Sequence, residues 1–285
     1  MSPLRLVITG ASGFIGRHLR ETSEKNPKID ILAVSRSGIQ NSIKVSSYAH
    51  APEGDVLIHL AENNNAKSVA EQGHLYETQV LKTLNSLLNK KYSRIIYTSS
   101  SALYGENSNT PHGTEDRIFL DSPYRRVKAL SEEAVLQSSK GVVVRIGNVY
   151  GPGMSESSVL FEILSQIFTP GDLMIRDSTP IRDFIWVRDV VDGLLRLAIH
   201  ENSDDLSNRI FNLGTGMGTS IDNLARQTLD LAGQSSRRIV SKVNSKSTSS
   251  IILDYKQTTL ACGWIPKTIL HEGLAELVTS SLKVR

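Results

Sequence analysis

The segment LRLVITGASGFIGRHL, residues 4–19, restricts the fold more than any other. An apolar run passes directly into a turn with glycines at 10, 13 and 16, and an amphipathic stretch begins at Phe14. Strand, glycine-rich turn and helix in that order offer the free N–H groups of a helix N-terminus to a pyrophosphate. The spacing is GxxGxxG, which departs from the GxGxxG dinucleotide fingerprint, and glycines also serve purely structural turns. The strand before and the helix after favour the nucleotide reading.

The pattern then repeats. DILAVS, DVLIHLA, RIIYTS and GVVVRIG are short aliphatic runs, and helical segments at Phe14 to Ser23, Ala66 to Leu88 and Pro123 to Gln137 lie among them. Runs apolar throughout and separated by helices predict strands buried on both faces of a parallel sheet. The expected fold class is α/β, a Rossmann-type doubly wound parallel sheet with a smaller C-terminal lobe. Expected boundaries are 1–146 plus 183–212 for the dinucleotide-binding domain, and 147–182 plus 213–285 for the substrate-binding lobe. After Gly147 the pattern loosens into Gly, Ser and Pro-rich loops, with helices near Val159 to Phe168, Val190 to Ile199, Ile221 to Ala232 and Leu270 to Leu282. The polar stretch SKVNSKSTSS predicts a surface loop.

Composition narrows the partners. At 39% hydrophobic and 21% charged, a chain of 285 residues has the makings of a full core. A net charge of +3 with no basic run longer than two argues against nucleic acid. No apolar stretch reaches membrane length and no signal peptide is evident, so the expectation is a soluble, cytoplasmic protein without a membrane partner. The single cysteine, Cys262, rules out an internal disulfide. The seven histidines lack metal-ligand spacing, and His59 inside VLIHLA reads as a packed strand residue; no metal is expected.

Three further places bear on chemistry. At the end of the second strand, an NAD site would present an acidic residue to the ribose; Ser35 and Arg36 stand there instead. A hydroxyl and a guanidinium suit a 2'-phosphate, so NADP is preferred over NAD, with a solvated surface arginine as the bland alternative. RIIYTSSSALYG ends a strand in three serines at the carboxyl edge where ligands bind, although serines there also form turns. In SPYRRVKALSEE, Pro123 suits a first helical position, and Tyr124 and Lys128 follow on one face. Eight tyrosines among 285 residues make such a pair unremarkable by itself; its place after a phosphate loop and a serine-tipped strand gives it weight.

With these segments in view, the chain resembles the extended short-chain dehydrogenase/reductase family, in its NAD(P)-dependent sugar-nucleotide epimerase/dehydratase branch. TGASGFIG, DVLIHLA, YTSSSALYG, SPYRRVKALSEE, VVRIGNVYGPG, RDFIWVRDVVDGL, FNLGTG and LACGWIPKT carry the resemblance in order. It implies that Tyr124 is the catalytic acid/base and that Lys128 binds the nicotinamide ribose and lowers the tyrosine pKa. Ser100 would orient the substrate hydroxyl, with Ser101 as its neighbour. The implied cofactor set is Gly10, Ser12, Gly13, Phe14, Ile15, Gly16, Ser35, Arg36, Leu60, Ala61, Tyr124 and Lys128. Ser101, Asn148 and Arg182 would meet the substrate, the last two at its diphosphate; Arg182 beside Asp183 is equally suited to a structural ion pair. Ser101 and Ala102 occupy the positions where dehydratases of the family carry an Asp-Glu pair, which argues against dehydration. A late Arg-Pro-Gly-Asp segment and a Gly-Asp segment before DVLIHLA are both missing, which leaves the substrate's nucleotide and some adenine contacts open.

The expected activity is hydride transfer to or from C4 of a nucleoside-diphosphate sugar, as a 4-epimerase or a 4-ketoreductase using NADP or NAD. Alternatives are a catalytically silent NADP-binding regulator, and a reductase of a small ketone or aldehyde. The resemblance also implies a homodimer built on the helices at Ala66 to Leu88 and Pro123 to Gln137.

Overall fold

Period-two alternation decides how the aliphatic runs are used. In β1 (Leu4–Thr9), Leu6 and Ile8 enter one apolar cluster and Val7 enters another, and all three are fully buried. A strand loaded this way on both faces needs a helical layer on each side. The computed structural model describes residues 2–106, 108, 110–200, 208–243 and 249–283, and supplies both layers.

A seven-stranded sheet runs in the order β10, β6, β5, β4, β1, β2, β3. Its other strands are β2 (Ile29–Ser35), β3 (Ile43–Lys44), β4 (Val56–His59), β5 (Arg94–Ser100), β6 (Gly141–Ile146) and β10 (Ile210–Leu213), and every pairing is parallel. On one face lie α1 (Phe14–Ser23) and α5 (Val187–Ile199), packed around Leu6, Ile8, Ile58 and Val144. On the other, α2 (Ala66–Leu88) and α3 (Pro123–Gln137) pack together and against Val7, Leu57, Tyr97 and Val143. The expected doubly wound sheet is present. The strand order reverses between β1 and β4, and the crevice beyond their carboxyl ends is where such sheets bind ligands.

α2 is broken at Gly73, whose φ of 56° and ψ of −141° lie outside helical space. A lone glycine leaves the amphipathic phase intact on either side, so the sequence pattern reads as one helix.

The region after Gly147 is richer in strands than expected. β7 (Asn148–Tyr150), β9 (Ile181–Trp186), β11 (Gly218–Ser220) and β13 (Ser250–Ile251) form a four-stranded mixed sheet, and β8 (Leu173–Asp177) pairs with β12 (Ile239–Val243). With α4 (Val159–Gln166), α6 (Ile221–Leu231) and α8 (Leu270–Lys283), they enclose a second core around Tyr150, Phe184, Trp186, Leu224 and Leu274. SKVNSKSTSS is therefore not a loop throughout: its first three residues end β12 and its last begins β13, while 244–248 lie outside the described residues.

Two stretches lie astride the expected boundaries. Residues 183–186 pair in the small sheet, where Phe184 and Trp186 fill the second core while Ile185 packs on the main one. Conversely α7 (Lys256–Cys262) and Trp264 pack on the main core, with the Trp264 indole N–H donating to the Asp189 carbonyl at 2.9 Å. Residues 201–207, within the same expected segment, lie outside the described residues. Among the described residues, no helix is long and apolar enough to cross a membrane.

Candidate active site

Tight backbone packing shapes the first turn. Gly10 has φ of +74°, and a Cβ there would lie 3.0 Å from the Leu60 carbonyl carbon; one on Gly16 would lie 2.2 Å from the Gly10 oxygen. Gly13 caps α1 without a side-chain partner, and the first turn carries no acidic residue. The helix N-terminus thus keeps its donors for an anion.

Two cavities meet at this turn. One, about 700 Å³, is lined by Phe14, Ile15 and Gly16, by the β5 end from Thr98 to Ala102, and by Tyr124, Asn148 and Arg182. The other, about 720 Å³, is lined by Ser12, Arg36, Ser46 to Ala49 and Ala61. Gly10, Gly13, Leu60 and Glu62 border both, so a dinucleotide with its pyrophosphate at the turn would extend a half into each. Ser99 Oγ is buried in the first cavity's wall with no hydrogen-bond partner, which leaves a donor for a ligand. The cradle and this free hydroxyl fit a nicotinamide dinucleotide.

α3 begins with Ser122, whose Oγ accepts from the Arg125 N–H at 3.3 Å, and Pro123 follows in the first turn. That start places Tyr124 at the cavity wall, its ring packed with Val69, Val80, Val127 and Tyr76. One turn later, Lys128 is 3% exposed and lines neither cavity. Its ammonium donates to Glu62 Oε2 at 2.8 Å and to the Thr98 carbonyl at 3.1 Å, and lies 5.1 Å from the Tyr97 ring centre. Burial works to lower the lysine pKa, but Glu62, with Tyr124 and Tyr76, outweighs it and holds the ammonium above its ordinary value. Sequence reasoning missed Glu62. The signal available was an ionisable residue directly following a strand buried on both faces.

Ser100 Oγ accepts from the Ala102 N–H at 3.2 Å, capping a 3-10 turn over Ser101–Tyr104; its own proton remains free to donate. Ser101 is buried and lines the same cavity. Ser35 is fully buried; its hydroxyl bonds Ser12 at 3.0 Å and Ser37 at 2.9 Å, and it does not line the second cavity. Arg36 does, with its guanidinium 5.3 Å from the Tyr48 ring centre. Of the expected Ser35 and Arg36 pair, only the arginine reaches the ligand space.

At the far end of the first cavity, Arg182 donates to the carbonyls of Ile181 and Ser249 at 2.9 and 3.0 Å, and its other nitrogen approaches Glu106 at 3.3 Å. Burial lowers its pKa and Glu106 opposes that. Arg182 is not paired with Asp183. That carboxylate accepts from the Thr215 N–H and hydroxyl and from the N–H groups of Gly216 and Leu253. His59 is buried in β4, its Nδ1 2.7 Å from Thr9 Oγ1, and burial depresses its pKa to about 4. Among the described residues, no group of His, Cys, Asp and Glu side chains could hold a metal ion.

Comparison with known proteins supplies the family and the fold. The profile of the NAD dependent epimerase/dehydratase family matches residues 6–214. A putative UDP-glucose 4-epimerase of Methanocaldococcus jannaschii is 28% identical over 96% of this chain and 97% of its own length. The fold is shared with UDP-glucose 4-epimerase of Thermotoga maritima, solved with UDP-glucose, at a TM-score of 0.84 and 22% identity over 99% of both chains. It is shared equally with RMD from Pseudomonas aeruginosa, solved with NADPH, at 0.85 and 24% identity over 99% and 100%.

Proposed function

The chain belongs to the NAD dependent epimerase/dehydratase family, and on that premise we propose that it moves a hydride to or from C4 of a nucleoside-diphosphate sugar, as a 4-epimerase or 4-ketoreductase. The observation that carries this reading is one cavity bordered by the phosphate turn, by Ser99 to Ser101, by Tyr124 and, at its other end, by Asn148 and Arg182. Similarity to a protein named as a UDP-glucose 4-epimerase supports the substrate class.

In this reading a nicotinamide cofactor, when bound, supplies the hydride acceptor or donor at the sugar carbon. Gly10, Gly13 and the start of α1 hold its pyrophosphate, Leu60 and Ala61 form the wall at the switch point, and Ser12 and Arg36 face the adenosine end. Tyr124 takes the C4 hydroxyl proton as the carbonyl forms and returns it on reduction, and Ser100 donates to the same oxygen. The Lys128 ammonium stabilises the phenolate by its charge. Asn148 and Arg182 receive the diphosphate, the arginine by charge-assisted bonds that displace its present carbonyl acceptors. Ser101 and Ala102, where an Asp-Glu pair would serve dehydration, leave redox at C4 as the chemistry. The preferred cofactor is NADP, on the strength of Arg36 and the lack of a carboxylate beside it. The protein acts as a homodimer through the packed pair α2 and α3, where Leu75 stands exposed.

The test is turnover of nucleoside-diphosphate hexoses, with Tyr124→Phe reducing kcat by about 1,000-fold while cofactor affinity is kept; an equally active variant would remove the tyrosine from the mechanism. Nucleotide released on denaturation divides the two forms. Stoichiometric NAD marks an epimerase, and an empty site that then binds NADPH marks a ketoreductase.

A further inference from the structure

A buried lysine normally sheds its proton, because burial disfavours the charged form. Lys128 is placed where that should happen, and the feature that prevents it is a carboxylate from a different element. Glu62 follows β4, with a side chain only 6% exposed. Its Oε2 accepts from the Lys128 ammonium at 2.8 Å and from the Tyr97 hydroxyl at 2.7 Å, while Oε1 lies 3.4 Å from the Ser131 hydroxyl. Donors from β5 and α3 thus converge on one carboxylate, and the ammonium is gripped between it and the Thr98 carbonyl.

We infer that Glu62 is a positioning residue that acts through Lys128, fixing the ammonium against the end of β5 and balancing its charge beside Tyr124.

The surrounding groups leave this task to Glu62. From β4, His59 is neutral at working pH, since burial holds it to about 4. From β5, Tyr97 is kept protonated by burial and by Glu62. From α2, the Tyr76 hydroxyl accepts the Asn63 N–H at 2.7 Å, and burial raises its pKa. From α3 come Tyr124 and Glu132, and Glu132 is already engaged by Arg145 at 2.7 Å. Glu62 is the carboxylate in contact with the ammonium, so its loss leaves burial unopposed.

The inference rests on the proposed role of Tyr124 and Lys128, but its first test needs no substrate. Isotope-labelled lysine NMR, with Lys128→Met to assign the signal, follows the ammonium directly. The wild-type signal is expected to titrate above the ordinary lysine value of about 10.4. Glu62→Gln, which keeps the shape and removes the charge, should bring it down by about two units, and Glu62→Asp should restore much of the shift. A wild-type signal titrating below the ordinary value would overturn the inference even if the glutamine variant failed to fold; so would a glutamine variant titrating like wild type. On substrate, the alkaline limb of kcat/KM should move down with the ammonium while KM changes little. A fall in kcat with no movement of that limb would reduce Glu62 to a packing role. Absence of turnover by the wild-type protein would count against the proposed function alone.

Discussion

The two sheets are held together by different means. The seven-stranded sheet is built from strands that are mostly four to seven residues long and largely apolar, buried on both faces, and β1, β2, β4, β5 and β6 lie beside neighbours close in chain order. The small sheet is assembled from distant pieces, since β9 pairs with β7, β11 and β13, whose starts range from residue 148 to residue 250. Its joints are polar. The Asp183 carboxylate ties β9 to the turn at Thr215 and Gly216 and to Leu253, and Glu106 ties Arg182 to the Ser249 hydroxyl at 2.6 Å. The first construction makes a rigid wall for a cofactor shared across a family. The second puts charged groups, Arg182 and Glu106, at the far end of the first cavity.

The sharpest test of the first construction is Gly16→Ala. A methyl 2.2 Å from the Gly10 oxygen must push the turn off β1, since the opposing atom is backbone. The expected result is a loss of more than about 5 kcal/mol or failure to fold, read by urea denaturation. A stable variant that still binds nicotinamide nucleotides would show that the wall is softer than its packing implies. In the small sheet the counterpart is Asp183→Ala, which leaves the part-buried N–H groups of Thr215 and Gly216 and the buried one of Leu253 without their acceptor. About 4 kcal/mol is expected, in denaturation followed by tryptophan fluorescence, because Trp186 lies on the same strand. A cost below about 1 kcal/mol would mean that apolar packing carries both sheets.

The same contrast explains what was legible in the sequence. The helix Pro123–Gln137 could be placed because Ser122, Pro123 and a helical apolar period all mark one start. The strands LRLVIT and GVVVRI could be placed because burial on both faces writes itself as a continuous aliphatic run. β7, β11 and β13 are two or three residues long and acquire their conformation from partners far along the chain, so no local period announces them. Tyr124, Ser100, Arg182 and the glycines, to which spacing and resemblance pointed, border one cavity. Ser35 turned inward because Ser12 and Ser37 claim its hydroxyl. Glu62 escaped notice because a single acid at a strand end carries no pattern, and only the fold brings Lys128, 66 positions later, to it.

Acid sharpens the comparison further, because the large sheet buries a histidine in β4. The folded-state pKa of His59 is depressed from 6.5 to about 4, chiefly by burial, with Glu62 raising it and Lys128 lowering it. A depressed value means that the contribution to stability is complete above pH 6.5 and is lost as pH falls from there through about 4. The shift corresponds to about 3 kcal/mol at its full extent. Denaturation midpoints measured across this range should fall, and His59→Gln should flatten that part of the profile while lowering stability at neutral pH, since Thr9 Oγ1 keeps a partner of poorer fit. An unchanged slope in the variant would place acid sensitivity at groups other than His59.

The smallest expected effect lies in the second cavity, where Arg36, just past the end of β2, contributes a guanidinium to the wall. Arg36 is exposed and held loosely over Tyr48, so it is poorly placed to contribute to stability, and Arg36→Ala should leave the denaturation midpoint unchanged. Its worth should appear only with a 2'-phosphate, where a guanidinium can form charge-assisted bonds that a ribose hydroxyl does not invite. NADPH affinity is expected to fall about tenfold, roughly 1.4 kcal/mol, with NADH affinity unaffected. Because the site is open to water, the difference should shrink as salt is raised. Equal losses for both cofactors would mean that Arg36 serves by covering the adenine with Tyr48, and the preference for NADP would then have to be withdrawn. Equal retention of both would leave Ser12, Ser46 and Ser47, the neutral donors in the same wall, to decide between the cofactors.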